Sequence, residues 1–176
     1  MKQVQRIYVR RVTTRDETEF VDLMKQSISM HHPWITPPHN SSLFKAYINR
    51  IKKDDHEGFA ICNKSDDAIV GVININNIIR GSFQSATLGY YVGRPYAGTG
   101  LMKEGLLAVL KLAFETFGLH RLEANIQPEN HSSIELVKRC GFVKEGLSTG
   151  FLFIDGSWKD HERWCAIDLR KGLRKT

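Results

Sequence analysis

The sequence predicts an α+β fold, one mixed and mostly antiparallel seven-stranded sheet covered by about four helices. Three observations carry that prediction. The apolar pattern changes period along the chain in the order strand, two helices, three strands, helix, strand, helix, two strands. The chain has 176 residues, 41% of them apolar, the size and composition of one domain with a core of its own. No internal repeat, low-complexity stretch or linker divides it, so residues 1–176 are read as a single domain.

Ile7 to Val12 alternates apolar and polar residues and reads as the first strand. Thr14 or Asp16 caps a helix running to about Met30, with Phe20, Leu23, Met24 and Ser27 on one face. His31-His32-Pro33-Trp34 breaks it, Pro37 and Pro38 extend the loop, and Leu43, Phe44, Tyr47, Ile48 and Ile51 recur at the spacing of a short second helix. Gly58 to Cys62, Ala68 to Ile75 or beyond, and Ser85 to Val92 read as an antiparallel meander, with polar turns at Asn63 to Asp67 and around Gly81. The next helix, Gly98 to about Phe117, places Met102, Leu106, Leu110, Ala113, Phe114 and Phe117 on one buried face, and Gly118 stops it. Arg121 to Ile126 is a strand. Asn130 or Ser132 caps a helix to Cys140, which Gly141 ends. Phe142 to Leu169 reads as two strands joined at Asp155-Gly156, a strong hairpin signal.

Cys62, Cys140 and Cys165 are widely spaced and form no C-x-x-C pair, which points to neither a disulfide framework nor a zinc site, and no metal is expected. Met1 to Val12 is polar and basic, and no run of 18 apolar residues occurs, so a soluble cytoplasmic protein without membrane contact is expected. A net charge of +6 raises encounter rates with polyanions. Part of that excess is the tail Arg170 to Lys175, a solvated terminus without the interleaved aromatics of a base-stacking surface, and sequence-specific nucleic-acid binding is not expected.

The most informative stretch is Leu88 to Met102, an apolar strand that passes through Pro95 into Gly98-Thr99-Gly100 and opens a helix. Two glycines let the backbone approach a ligand, and the unpaired amides of the following helix start point at whatever lies there, which makes an anion site. Lys103 stands where a dinucleotide fingerprint has its third glycine, and the P-loop ending is absent; a lone Gly-x-Gly is also compatible with a plain tight turn.

Six segments in register resemble the GNAT N-acetyltransferases, and among them the RimJ/RimL type, the ribosomal-protein-alanine N-acetyltransferases. They are Ile69-Val70-Gly71-Val72, Ile78 to Phe83, Leu88 to Gly93, Ala97 to Met102, Pro128 to Ser133 with Gly141 to Gly146, and Ile154 to His161. The resemblance covers nearly the whole chain. It implies the GNAT fold, with acetyl-CoA entering a V-shaped splay between strands Ser85 to Val92 and Arg121 to Ile126. Backbone amides of Gly98, Thr99, Gly100, Leu101 and Met102 then wrap the pyrophosphate. The family's motif usually begins with Gln or Arg and ends in Gly or Ala; Ala97 and Met102 hold those places here, leaving Arg94 or Lys103 to supply the missing charge. Tyr91 and Val92 lie along the pantetheine arm, and a backbone amide near Val92 polarises the thioester carbonyl. Asn130 helps to hold the coenzyme and Ser133 assists the departing thiolate; both residue types also favour helix starts whatever the function.

Glu123 and Asn125 lie two apart on one strand and face the same side. Glu123 is the candidate base by resemblance, and pairing with Arg121 is its ordinary alternative. Some RimL-like enzymes carry an acid on the penultimate strand, where this chain has Leu152. Candidate acceptor contacts are His32, Trp34, Tyr90, Asn125 and Trp158, with His31 in the same wall as His32 and Trp34, and Asp160 and His161 in the opposite wall with Trp158; core packing for Tyr90, loop capping and packing for His31, His32 and Trp34, and a surface cross-strand cluster for Trp158, Asp160 and His161 are the structural alternatives. An α-amino group is roughly 10 to 20% neutral at pH 7 and a lysine about 0.04%, so the lack of an obvious strong base favours a peptide amino terminus. The expected acceptor is a ribosomal protein with Ala or Ser first, which allows ribosome association. A small-molecule amine is the rival acceptor, and a coenzyme-binding ribosome assembly factor with vestigial catalysis is the reading from another class.

Overall fold

The computed structural model describes residues 5–171, with the side chain of Lys171 excepted; most of the basic tail and the first four residues lie outside them. Seven strands form one sheet: β1 (Ile7–Arg11), β2 (Glu57–Asn63), β3 (Ile69–Ile79), β4 (Ser85–Val92), β5 (Arg121–Ile126), β6 (Val143–Ile154) and β7 (Ser157–Ile167). Their spatial order is β1-β2-β3-β4-β5-β7-β6, and β4 with β5 is the parallel pair in an otherwise antiparallel sheet. The α+β prediction holds. Chain order alone does not place β7 between β5 and β6, and that insertion bears on the site.

Helices α1 (Glu17–His31) and α2 (Ser41–Ile51) cover one face, where Phe20, Met24, Phe44 and Tyr47 pack on Ala60, Val72 and Tyr91. Helices α3 (Leu101–Glu115) and α4 (His131–Arg139) cover the other with Leu106, Val109, Ile134 and Val137. Burying each such side chain contributes about 1.5–3 kcal/mol. A 3-10 turn, Thr14–Asp16, capped by Thr13, precedes α1; Asp16 stands at the N-cap of α1 as expected, and its carboxylate accepts from the Thr13 N–H at 2.7 Å and from Arg10 at 2.7 and 2.9 Å. Asn40 caps α2 through the Leu43 N–H, and Asn130 caps α4 through that of Ser133. Gly105 sets the distance of α3 from the sheet, because a Cβ there would lie 2.8 Å from Ile61.

Strands β4 and β5 stay together only from Ser85 opposite Arg121 to Leu88 opposite Ala124. Beyond Leu88 they part. Gly93 donates to the Val70 carbonyl, so on alternation Tyr91 turns its backbone to β3 while Tyr90 and Val92 turn theirs to the gap. The hairpin at Asp155-Gly156 has positive φ at both residues, 51° and 77°, the turn that matches strand twist.

Candidate active site

A cleft of about 510 Å³ runs from the Gly98-Gly100 loop to the splay, where it meets a smaller cavity of about 90 Å³. Trp34, Ile35, Tyr90, Asn130 and Ser133 line both. The Tyr90 hydroxyl lies 2.6 Å from Ser133 Oγ, so the boundary between the cavities is a hydrogen-bonded hydroxyl pair. Burial pushes the Tyr90 phenol well above its ordinary value, and it stays protonated.

The loop end of the cleft is electropositive. Gly98 and Gly100 have φ of 75° and 82°, conformations an L side chain resists, and they bring the loop round to the first turn of α3. Neither N–H has a partner among the described residues, and the helix start adds its own free amides. Thr99 differs from expectation: its N–H turns back to the Tyr96 carbonyl at 3.4 Å, and its hydroxyl does the same at 2.6 Å. The Leu101 N–H in turn lies 3.5 Å from Thr99 Oγ1. Arg6 donates to the Thr99 carbonyl at 3.2 Å and pairs with Glu104 at 2.6 Å, tying the loop to β1.

Lys103 lines this end, as expected, together with Arg139. Neither has an ion-pair partner among the described residues. Arg94 does not reach the cleft; its guanidinium rests on Ser29 at 3.3 Å. Arg139 was absent from the expected set, although it stands seven residues after Ser132, two helical turns along one face.

Around the splay the expected residues divide. Val92 lines the cleft, and its carbonyl is engaged by His31 Nε2 at 3.0 Å. Of the two neighbouring histidines it is His31 that reaches β4, because it lies four residues after Ser27, whose Oγ accepts from the Arg94 N–H at 2.9 Å. Burial lowers the His31 pKa, the Val92 carbonyl opposing, so the ring is neutral and Nε2–H donates. His32 instead meets Asp155 of the hairpin at 3.3 Å, with both side chains exposed. Tyr91 borders the cleft, but its hydroxyl is held at Asn74, 3.5 Å away, on the α1 side. Met102 is buried and lines the cleft.

Tyr90, expected to meet the acceptor, is on the α4 side with Ser133, because strand alternation places it on the face of Leu88. Trp34 stays at the splay, where its carbonyl accepts from Gln127 at 3.4 Å. Asn125 lines the smaller cavity, and its Oδ1 is buried with no hydrogen-bond partner among the described residues. Glu123 lines neither cavity. It pairs with Arg121 at 3.1 Å in a cluster that includes Glu145, so the ordinary reading of this carboxylate is the one realised. Trp158 is 66% exposed and packs on Phe153, its cross-strand partner, with ring centroids 5.7 Å apart. His161, its neighbour beyond the hairpin, is the one that is buried and lines the smaller cavity.

No described residues form a metal-binding group of His, Cys, Asp and Glu, and no described helix is long and apolar enough to cross a membrane. A cleft with a backbone anion cradle at one end and a hydroxyl pair at a parted sheet is built to hold an elongated anionic donor and present its far end to a second molecule.

The family model for an acetyltransferase (GNAT) domain matches residues 6–143. The chain is 34% identical over 164 residues to the [ribosomal protein uS5]-alanine N-acetyltransferase of Escherichia coli, spanning 89% of this chain and 84% of that one. It is 25% identical over 157 residues to the spermidine N(1)-acetyltransferase of Vibrio cholerae, spanning 87% and 88%. A solved structure of Mycobacterium smegmatis RimJ in complex with CoA-disulfide superposes with a TM-score of 0.85 at 25% identity, covering 96% of this chain and 84% of that one. Cradle, splay and sequence thus lead to one assignment: the chain belongs to the GNAT family and is an N-acetyltransferase.

Proposed function

We propose that this enzyme transfers acetyl from acetyl-CoA to the N-terminal α-amine of a protein, with a ribosomal protein beginning in Ala or Ser as the acceptor. The observation that carries the reading is the Tyr90–Ser133 hydroxyl pair, which stands where the two cavities meet. Gly98, Gly100 and the start of α3 bind the pyrophosphate, Lys103 and Arg139 neutralise phosphate charge, and the pantetheine arm pairs with the backbone of Tyr90 and Val92. The thioester then lies at the splay, with the Val92 N–H turned toward its carbonyl oxygen. The amine attacks the carbonyl carbon directly. As the C–N bond forms and the C–S bond breaks, the amine's excess proton leaves to solvent and the Tyr90–Ser133 pair hydrogen-bonds the departing thiolate and relays to it a proton that solvent replaces.

Two observations support a peptide amino terminus over a polyamine. The smaller cavity has no carboxylate among its lining residues, whereas a polyamine carries several ammonium groups that need anionic partners. The Escherichia coli relative acts on ribosomal protein uS5 at alanine, at higher identity than the spermidine enzyme. The net charge of +6 fits work on an RNA-rich particle in the cytoplasm.

Free-thiol release from acetyl-CoA is the test, with peptides beginning in Ala, Ser or Met, an N-blocked lysine peptide and spermidine, and mass spectrometry to locate the acetyl group. Turnover confined to free Ala or Ser termini is expected. Transfer to spermidine or lysine instead overturns the acceptor, and coenzyme binding without any transfer favours the assembly-factor reading.

A further inference from the structure

We propose that His161 is the general base of this enzyme, with Asn125 Oδ1 as the acceptor that holds the incoming amine. The inference rests on the acetyl-transfer reading above and adds the group that reading lacks.

Strand alternation separates the two sides of the reaction. On β5, Leu122, Ala124 and Ile126 face α3 and α4, as do Leu88 and Tyr90 on β4. Asn125 therefore projects to the opposite face. On β7, Trp164 and Ala166 lie opposite Ala124 and Leu122 and share their face, so His161 belongs with Asn125. The hydroxyl pair that receives the thiolate and the histidine on the acceptor side thus flank one opening in the sheet from opposite faces. A nucleophile arrives from one face and the leaving group departs to the other.

Among the described residues lining the smaller cavity, His161 is the one imidazole, and none of the others is Asp, Glu, Lys or Arg. Its tautomer is set. Nδ1 lies 3.0 Å from the Lys159 carbonyl, which only accepts, so Nδ1–H donates and Nε2 keeps its lone pair. The Phe151 ring from β6, 5.8 Å away, holds the imidazole plane. The groups facing it are Tyr90 from β4, Asn125 from β5, Gln127 just past the end of β5, Ser133 from α4 and Trp34 from the α1–α2 loop. The charged residues on its own face are Lys159 and Arg163 of β7 and, further along β5, the Arg121–Glu123 pair. Asn125 Oδ1 is a buried acceptor without a partner among the described residues, and an ammonium or amine N–H satisfies it.

The protons balance. The ammonium gives one proton to His161 Nε2, which passes it to solvent. The neutral amine attacks, and its second proton leaves the new C–N bond to the same nitrogen as the C–S bond breaks. The thiolate takes one proton from the Tyr90–Ser133 pair, which solvent restores. The net products are amide, free thiol and one proton.

The test compares wild type with His161→Asn, whose side-chain amide keeps a donor for the Lys159 carbonyl but has no basic nitrogen, and with His161→Gln. The acceptors are an Ala-starting peptide and spermidine, and CoA affinity is measured by calorimetry. With CoA affinity retained, kcat/KM at pH 7 is expected to fall about 100-fold or more in both variants. The gap should narrow several-fold by pH 9, because an amine with pKa about 7.7–8.0 then arrives already neutral. A loss that is constant across pH, or a fall no larger than threefold, overturns the assignment and leaves acetyl transfer standing. Wild type that acetylates no amine overturns the acetyl-transfer reading, and this one with it.

Discussion

Replacing Ser133 by Ala and Tyr90 by Phe, singly and together, tests whether the two hydroxyls act as one proton path. Their oxygens are 2.6 Å apart, so a proton leaving one is replaced through the other without rearrangement. The thiolate carries a full charge as it departs, and a hydrogen bond to a charged group contributes about 1.5–3 kcal/mol. At about 1.36 kcal/mol per tenfold, each single replacement should lower kcat about 10- to 150-fold. Because either deletion breaks the same path, the double variant should be no slower than the slower single one. The assay is thiol release at saturating acetyl-CoA and Ala-starting peptide, with thermal unfolding to confirm that the variants fold. Two results refute the reasoning: effects that multiply, for a combined loss of roughly 10² to 10⁴, or a Tyr90→Phe enzyme with unchanged kcat.

Arg139→Ala and Lys103→Ala should each weaken CoA binding about tenfold, flatten its dependence on salt and leave kcat at saturation unchanged, as measured by calorimetry and steady-state kinetics. Gly100→Ala places a Cβ at φ 82° and 3.3 Å from Arg6 Nη2, so it should cost about 1–2 kcal/mol of stability and loosen CoA. Burial raises the Asp16 carboxyl, but the Arg10 and Thr13 bonds outweigh burial and hold it below its ordinary value. Its stabilisation is therefore complete above an unfolded pKa of about 3.9 and is lost as pH falls through the folded value. In urea unfolding, the gap between wild type and Asp16→Asn should be widest near pH 7 and close below about pH 3.

Local signals were legible wherever one side chain or one period decides the structure. Strands β4 and β5 begin and end where their apolar alternation does, and Asp155-Gly156 makes the turn that it announces. The Gly98-Gly100 loop and the Asn130 cap likewise follow from residue type. Alternation also put Glu123 and Asn125 on one side, correctly. It does not say which of the two reaches the gap, since β5 is still paired with β4 at Glu123 and has left it by Asn125. The chain order puts His161 just beyond the hairpin beside Trp158 and Asp160 but does not say which of them reaches the cavity: His161 does because β7 pairs with β5, and nothing within β7 specifies that neighbour. His31 and Arg139 needed only the phase of helices already placed, four residues after Ser27 and seven after Ser132.

The insertion of β7 between β5 and β6 also orders events in time. The strand that holds the sheet's far half together is the last of the seven in chain order, and its pairing with six positions of β5 and eight of β6 waits until residue 167 has emerged. Until then β5 and β6 present open edges to each other across a strand-wide gap, each a template for the wrong partner. The segments through α4 can shape the anion loop on a nascent chain, whereas the amine side closes only with the final strand. On the proposed assignment of the sites, the residues of the donor side thus precede the strand that completes the acceptor side, and long-range pairing of this kind is intrinsically slow.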